Sequence, residues 1–202
     1  MIDLPDTLPV MVLPDCSLFP GARMPLFIFE PHYQEMLADV LGGGRMFCIG
    51  TADMDLPEEP DGPVVYPYST AGLVRACVDD DDGTSNLVLE GLQRVQFIGW
   101  EEGESYRQAQ VRGLKSVKGD PEESALLCGQ IQDLAGQRMA NSGGPMADPA
   151  TVEALWVSLG SEEAIADFVA YHLIPDIHLR QPLLAMTSVE ERLAFIRECL
   201  LQ

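Results

Sequence analysis

The sequence predicts an α+β protein in two parts: a β-barrel module with one inserted helix over residues 1–118, then a four-helix segment over 119–202. Two observations predict it. The hydrophobic period changes near residue 118 from short β-rich runs to helical stripes, and Gly/Pro turn pairs cut the first part while helix caps punctuate the second. The expected strands are 8–13, 25–29, 45–50, 64–68, 73–78, 86–90, 95–100 and 106–114. Their separators include Pro20-Gly21, Gly42-Gly43-Gly44, Asp61-Gly62-Pro63 and Asp82-Gly83. Many short strands with such turns favour a closed or partly closed barrel. The inserted helix starts at Pro31, which suits a first helical position. It turns Tyr33, Met36, Leu37, Val40 and Leu41 to one face and stops at Gly42.

In the second part, Asp120-Pro121-Glu122-Glu123 opens a helix of about 20 residues with Leu127, Ile131 and Leu134 along one face. A loop at 141–145 follows. Asp148-Pro149 opens a helix carrying Val152, Leu155, Trp156 and Leu159, and Gly160-Ser161 closes it and caps another that ends at Pro175. Ser188-Val189-Glu190-Glu191 is a capping box for the last helix, with Leu193, Ile196 and Leu200 inward.

Charge narrows the partners. The chain holds 12 Lys+Arg against 32 Asp+Glu, a net charge of -20, and only two lysines, Lys115 and Lys118. Nucleic acid and anionic membranes need clustered cations, so neither is an expected partner. Five scattered cysteines without a C-x-x-C pair read as reduced thiols of a cytoplasmic protein, and no signal peptide is visible.

Catalytic motifs are missing. Neither lysine follows a glycine, so there is no Walker A loop, and the triple glycine follows a helix where a phosphate cradle would precede one. No G-x-S-x-G elbow or Ser-x-x-Lys occurs. His172 and His178 straddle Pro175 at a spacing unlike the i, i+4 pair of a helical zinc site. The run Asp79–Asp82 before Gly83 fails as a calcium loop, because Val78 and Leu89 stand where acids are needed. A solvated hairpin is expected there. No metal, cofactor or catalytic residue is assigned.

Two segments carry a specific likeness. One is Leu18-Phe19-Pro20-Gly21 followed by Pro25-Leu26-Phe27-Ile28-Phe29-Glu30-Pro31-His32-Tyr33. The other is Asp82-Gly83-Thr84 leading to Leu89-Glu90-Gly91-Leu92-Gln93-Arg94. A weaker third is Gln181–Leu184 with Val189-Glu190-Glu191-Arg192-Leu193. Together they resemble the N-terminal domain of Lon proteases, the ATP-dependent protease La family. The resemblance implies a PUA-like β pseudo-barrel followed by a helical bundle, both forming one Lon N-terminal-type domain. It also implies a role in holding unfolded or degron-bearing substrates, without the family's ATPase and serine–lysine protease modules. Arg180, Pro182 and Ala185 depart from the family pattern before the last helix.

The signature residues Phe19, Pro20, Gly21, Phe29, Glu30, Pro31, Tyr33, Glu90, Gly91 and Arg94 are expected to serve the fold: glycines at tight turns or close approaches, prolines at a turn and a helix start, aromatics in the core. The expected function is a non-catalytic module binding unfolded or degron-bearing segments through an apolar groove. Nine methionines suit an adaptable apolar surface, and Met24, Met46 and Met54, near strand ends, are the expected contacts. The alternatives are an adaptor or self-assembly protein partnering an ATP-dependent protease and, behind it, an uncharacterised hydrolase.

Overall fold

Among the described residues, six strands form between residues 7 and 113. The computed structural model describes residues 4–60, 62–101, 105–141 and 148–202. The chain divides into two compact units, Met1–Lys115 and Ser116–Gln202. The first contains β1 (Thr7–Leu13), β2 (Arg23–Ile28), α1 (Pro31–Gly42), β3 (Met46–Thr51), β4 (Tyr68–Asp79), β5 (Ser85–Glu101) and β6 (Arg107–Gly113). The sheet order is β2-β5-β4-β3-β1-β6, and a further β5–β6 pairing closes the last five strands into a barrel. The β1–β3 pair is parallel and the others are antiparallel. Leu8, Val10, Cys48, Ala71, Val95, Phe97, Ala109 and Val111 form one buried core cluster.

Among the described residues, six strands stand where eight were expected. Of residues 64–68, Tyr68 opens β4 and the rest make only a bridge, Ala52 to Val65, because Pro63 and Pro67 bracket residues 64–66 and lack the donors a ladder needs. The two runs 86–90 and 95–100 are one 17-residue strand, β5. Its first part pairs with β2 and the distal part of β4, and its second part pairs with β6. Register shifts at Ala71/Gly72, Val74/Ala76 and Phe97/Gly99 mark the β-bulges that bend these long strands. Strand β2 therefore lies outside the closed ring, on the flank of β5.

Gly91 explains how β5 runs through without a turn. Phe19-Pro20-Gly21-Ala22 is a tight turn, with Ala22 N donating to Phe19 O at 3.1 Å and Gly21 at φ +76°, the pattern of a Pro-Gly turn. The turn is bonded to β5 on both sides of Gly91: Gly21 N donates to Gly91 O at 2.8 Å and Gly91 N to Ala22 O at 2.9 Å. A Cβ on Gly91 would lie 2.1 Å from the Phe19 carbonyl oxygen.

The second unit holds α2 (Pro121–Asn141), α3 (Pro149–Leu159), α4 (Glu162–Leu173), α5 (Ile177–Ala185) and α6 (Val189–Leu201). The expected caps form: Asp120 Oδ1 accepts from Glu122 N and Glu123 N, Asp148 from Thr151 N, Ser161 from Ala164 N and Ser188 from Glu191 N. Of the loop expected at 141–145, Asn141 ends α2 and the rest lies outside the described residues. Among the described residues of this unit, five helices stand where four were expected. Asp176 caps α5 by accepting from His178 N, and Leu183 and Leu184 are buried despite the internal Pro182. Arg180 also bonds the carbonyls of Tyr171 and Ile174 at the end of α4.

The centre of this unit is polar. Arg192 is fully buried, donating to Asp167 Oδ1 at 3.0 Å, Glu163 Oε1 at 3.2 Å and Ser116 Oγ at 2.6 Å, and the Ser116 hydroxyl bonds Glu163 in turn. A buried pair stripped of one partner leaves an uncompensated charge.

Substitutions at these two places test the constraints by chemical denaturation of the intact chain. Gly91→Ala should cost about 3 kcal/mol, the upper end of overpacking penalties. Gly44→Ala, whose added methyl meets nothing within 4 Å, should stay within about 0.5 kcal/mol of the parent. Arg192→Met should cost about 3–5 kcal/mol, and adding Asp167→Leu should restore much of it by removing the stranded carboxylate.

Candidate functional site

Strand β2 brings an apolar surface to the outside of the molecule. Its odd residues Arg23, Pro25 and Phe27 are exposed and its even residues Met24 and Ile28 buried, the period of two that places them on opposite faces. The register continues this outer face across β5 and β4. Pro25, Val88 and Ala76 form one row, and Phe27, Asn86 and Val78 the next. These residues, with Leu26 and Leu87, line a shallow depression of about 430 Å³. Phe27 is 54% exposed and Val78 63% exposed, and the Phe29 ring stacks against Phe27 at 5.8 Å.

Charged groups bound the face at both ends. Beyond the Pro25 row, Arg23 Nε and Arg75 Nε lie 3.3 Å and 3.0 Å from Glu90 Oε2. The hydrogen bond from Arg75 is the main cause that holds the Glu90 carboxyl below its ordinary value, so it stays ionised. Beyond the Phe27 row is the β4–β5 turn, closed by Gly83 N donating to Asp80 O at 3.0 Å. Asp82 accepts from the Thr84 hydroxyl and amide, which lower its pKa.

A larger cavity of about 780 Å³ opens at one end of the barrel, among Val10, Val12, Tyr33, Trp100, Tyr106 and Arg107. Three of its polar side chains are tied to the protein. Tyr33 Oη bonds both N and O of Val12 at 3.0 Å, Tyr106 Oη donates to Asp39 at 2.8 Å, and Arg107 donates to Pro63 O at 2.8 Å while lying over Trp100. These bonds brace the barrel mouth. Among the described residues no cluster of three His, Cys, Asp or Glu can hold a metal ion. Burial raises the Cys48 pKa and pushes that of Cys128 up to about 11, which keeps both thiols protonated and non-nucleophilic at neutral pH. None of the described helices is long and apolar enough to cross a membrane.

The signature residues fall into separate places. Phe19 is fully buried beneath Arg94, whose guanidinium carbon is 5.9 Å from the ring centre. Pro20, Gly21 and Gly91 build the docked turn. Pro31 opens α1, Tyr33 braces β1, Glu30 lies 3.8 Å from His32 and Glu90 bridges the two arginines. Phe29 departs from the expectation of core burial: it is 57% exposed, one residue past the end of β2, where it follows the buried Ile28 and stacks on the exposed Phe27.

The three methionines are not gathered. Met24 is 6% exposed with the Cys16 thiol 3.7 Å from its sulfur, Met46 packs against the barrel core two strands beyond β5, and Met54 is exposed after β3. The three expected contacts therefore share no single face, whereas Phe27 and Val78, not singled out in the sequence, lie exposed in one row. The missed signal was alternation: two apolar residues in the outward phase of strands whose inward phase is also apolar.

Comparison with known proteins agrees with this architecture. Residues 7–202 match the family model of the ATP-dependent protease La (LON) substrate-binding domain. The chain is 26% identical over 194 residues to the Lon protease of Dictyoglomus thermophilum, covering 95% of this chain and 24% of that protein. It is 29% identical over 188 residues to Lon protease 2 of Herpetosiphon aurantiacus, covering 92% and 22%. It thus spans about a quarter of the length of these relatives. Among solved structures, the N-terminal domain of Mycobacterium avium complex Lon protease aligns at a TM-score of 0.75 with 15% identity, covering 97% of this chain and 98% of that one. The Lon N-terminal domain protein from Xanthomonas campestris aligns at 0.66 with 20% identity, covering 93% and 95%. With the barrel, the docked turn and the helical unit in place over nearly its whole length, the chain belongs to the Lon substrate-binding domain family.

Proposed function

We propose that this chain is a non-catalytic recognition module that binds unfolded or degron-bearing protein segments on the outer face of β2, β5 and β4. The observation that carries the reading is the exposure of Phe27 and Val78 in one row across β2, β5 and β4, extended by Phe29, in a chain of net charge -20. Large apolar side chains clustered outside a fold mark interaction surfaces. The family description, a substrate-binding domain of an ATP-dependent protease, supports a protein substrate. Covering the exposed parts of Phe27, Val78 and Phe29 would contribute about 1 kcal/mol each. That predicts weak capture, with a Kd on the order of tens to hundreds of micromolar once ordering costs are met.

Fluorescence anisotropy with labelled peptides drawn from unfolded proteins tests this. Saturable binding should appear for apolar peptides, and Phe27→Ser should weaken it about fivefold to tenfold. Met54→Ser should leave it unchanged, since Met54 lies outside the face. No saturation at high micromolar peptide, or equal affinity for Phe27→Ser, contradicts the reading.

A further inference from the structure

The apolar face is polarised along its strands. At one end two guanidinium groups share one carboxylate, with the Arg23 and Arg75 side chains 73% and 49% exposed, which leaves an excess positive charge. At the other end the turn carries four successive carboxylates, Asp79 to Asp82. Neutral groups hold three of them: Ser85 Oγ donates to Asp79 at 2.8 Å, Asn86 Nδ2 to Asp80 at 3.1 Å and Thr84 Oγ1 to Asp82 at 2.7 Å. Asn86 sits between Phe27 and Val78 in the outer row, so the Asp80 carboxylate is one hydrogen bond from the apolar surface. The Arg23 and Phe27 rows are four residues apart, about 13 Å. An extended segment of five or six residues spans the face from one charge to the other.

Pro25 favours side-chain docking over strand addition. Gly91 N bonds Ala22 O, so the alternation places Met24 and Leu26 toward β5 and Arg23, Pro25 and Phe27 toward the free edge. Proline there removes a donor that an added strand would need.

We propose that this face selects extended apolar segments bearing lysine or arginine at one end only, with the cation over Asp79, Asp80 and Asp82 and the opposite end over Arg23 and Arg75. The proposal rests on the reading of the face as the client surface and adds what the client carries. Its physical basis is charge complementarity at both ends of a short apolar track.

The test uses labelled peptides sharing one apolar core and ending in two lysines, two serines or two glutamates, plus one with lysines at both ends. In about 20 mM salt, one-ended lysine should bind roughly threefold to fivefold more tightly than serine, as expected for exposed charge pairs, and glutamate more weakly. Lysines at both ends should gain no more than lysines at one. About 0.5 M salt should erase the differences. The variant Asp80→Asn/Asp82→Asn, which keeps acceptors for Asn86 and Thr84, should bring all four peptides within twofold while leaving the serine peptide unchanged.

Equal binding of lysine and glutamate peptides, still weakened by Phe27→Ser, overturns the charge selection and leaves the client surface standing. A lysine preference that survives in the double variant also overturns it, showing unspecific attraction to a chain of charge -20. Binding of no peptide, or binding indifferent to Phe27→Ser, overturns the client surface itself. So does a dimer in sedimentation that Phe27→Ser dissolves, because the face would then be covered by a second copy.

Discussion

The backbone of Phe19 lies against Gly91 with no room for a side chain between them, and the apolar face depends on that contact. The docked turn delivers the chain into β2 beside β5 in a fixed register, and alternation along β2 then decides which residues face out. A one-residue slip would bury Phe27 and expose Met24 and Ile28. Gly91 also lets β5 run through unbroken, so the strand that carries Val88 and Asn86 on the outer face continues into the barrel wall. A single steric constraint thus couples barrel closure to the surface proposed for binding.

Much of this was legible in the residues. Turn chemistry at Pro20-Gly21 and Asp82-Gly83, the proline start of α1 and the capping signals of the helical unit act locally, and local signals survive in a linear chain. Pro20 and Gly21 form the tight turn, Gly91 lies against it and Pro31 opens α1. What escaped needed long-range pairing. The continuity of β5 depends on what lies against Gly91, and α5 depends on burial of Leu183 and Leu184 overriding Pro182. The placement of Arg192 against Asp167, Glu163 and Ser116 spans as many as 76 residues, and no periodicity announces it. The outward turn of Phe29 and Phe27 was hidden because apolar aromatics in a strand read as core until register is known.

Acidity acquires a position as well as a sum. Residues 1–118 hold 19 acids against 8 bases, yet the outer face of β2, β5 and β4 is apolar at its centre and basic at one end. A net charge of -20 limits self-association of a surface that exposes Phe27, Phe29 and Val78. The same field repels acidic segments at a distance, and under the proposed selection the local arrangement of carboxylates orients the client.

The most direct measurement is an amide chemical-shift map of the isotopically labelled chain titrated with an apolar peptide. The account predicts that the largest shifts follow the register of the outer face, at Phe27, Ala76, Val78, Asn86 and Val88. Shifts concentrated instead around Tyr33, Trp100 and Arg107, at the barrel mouth, would contradict it.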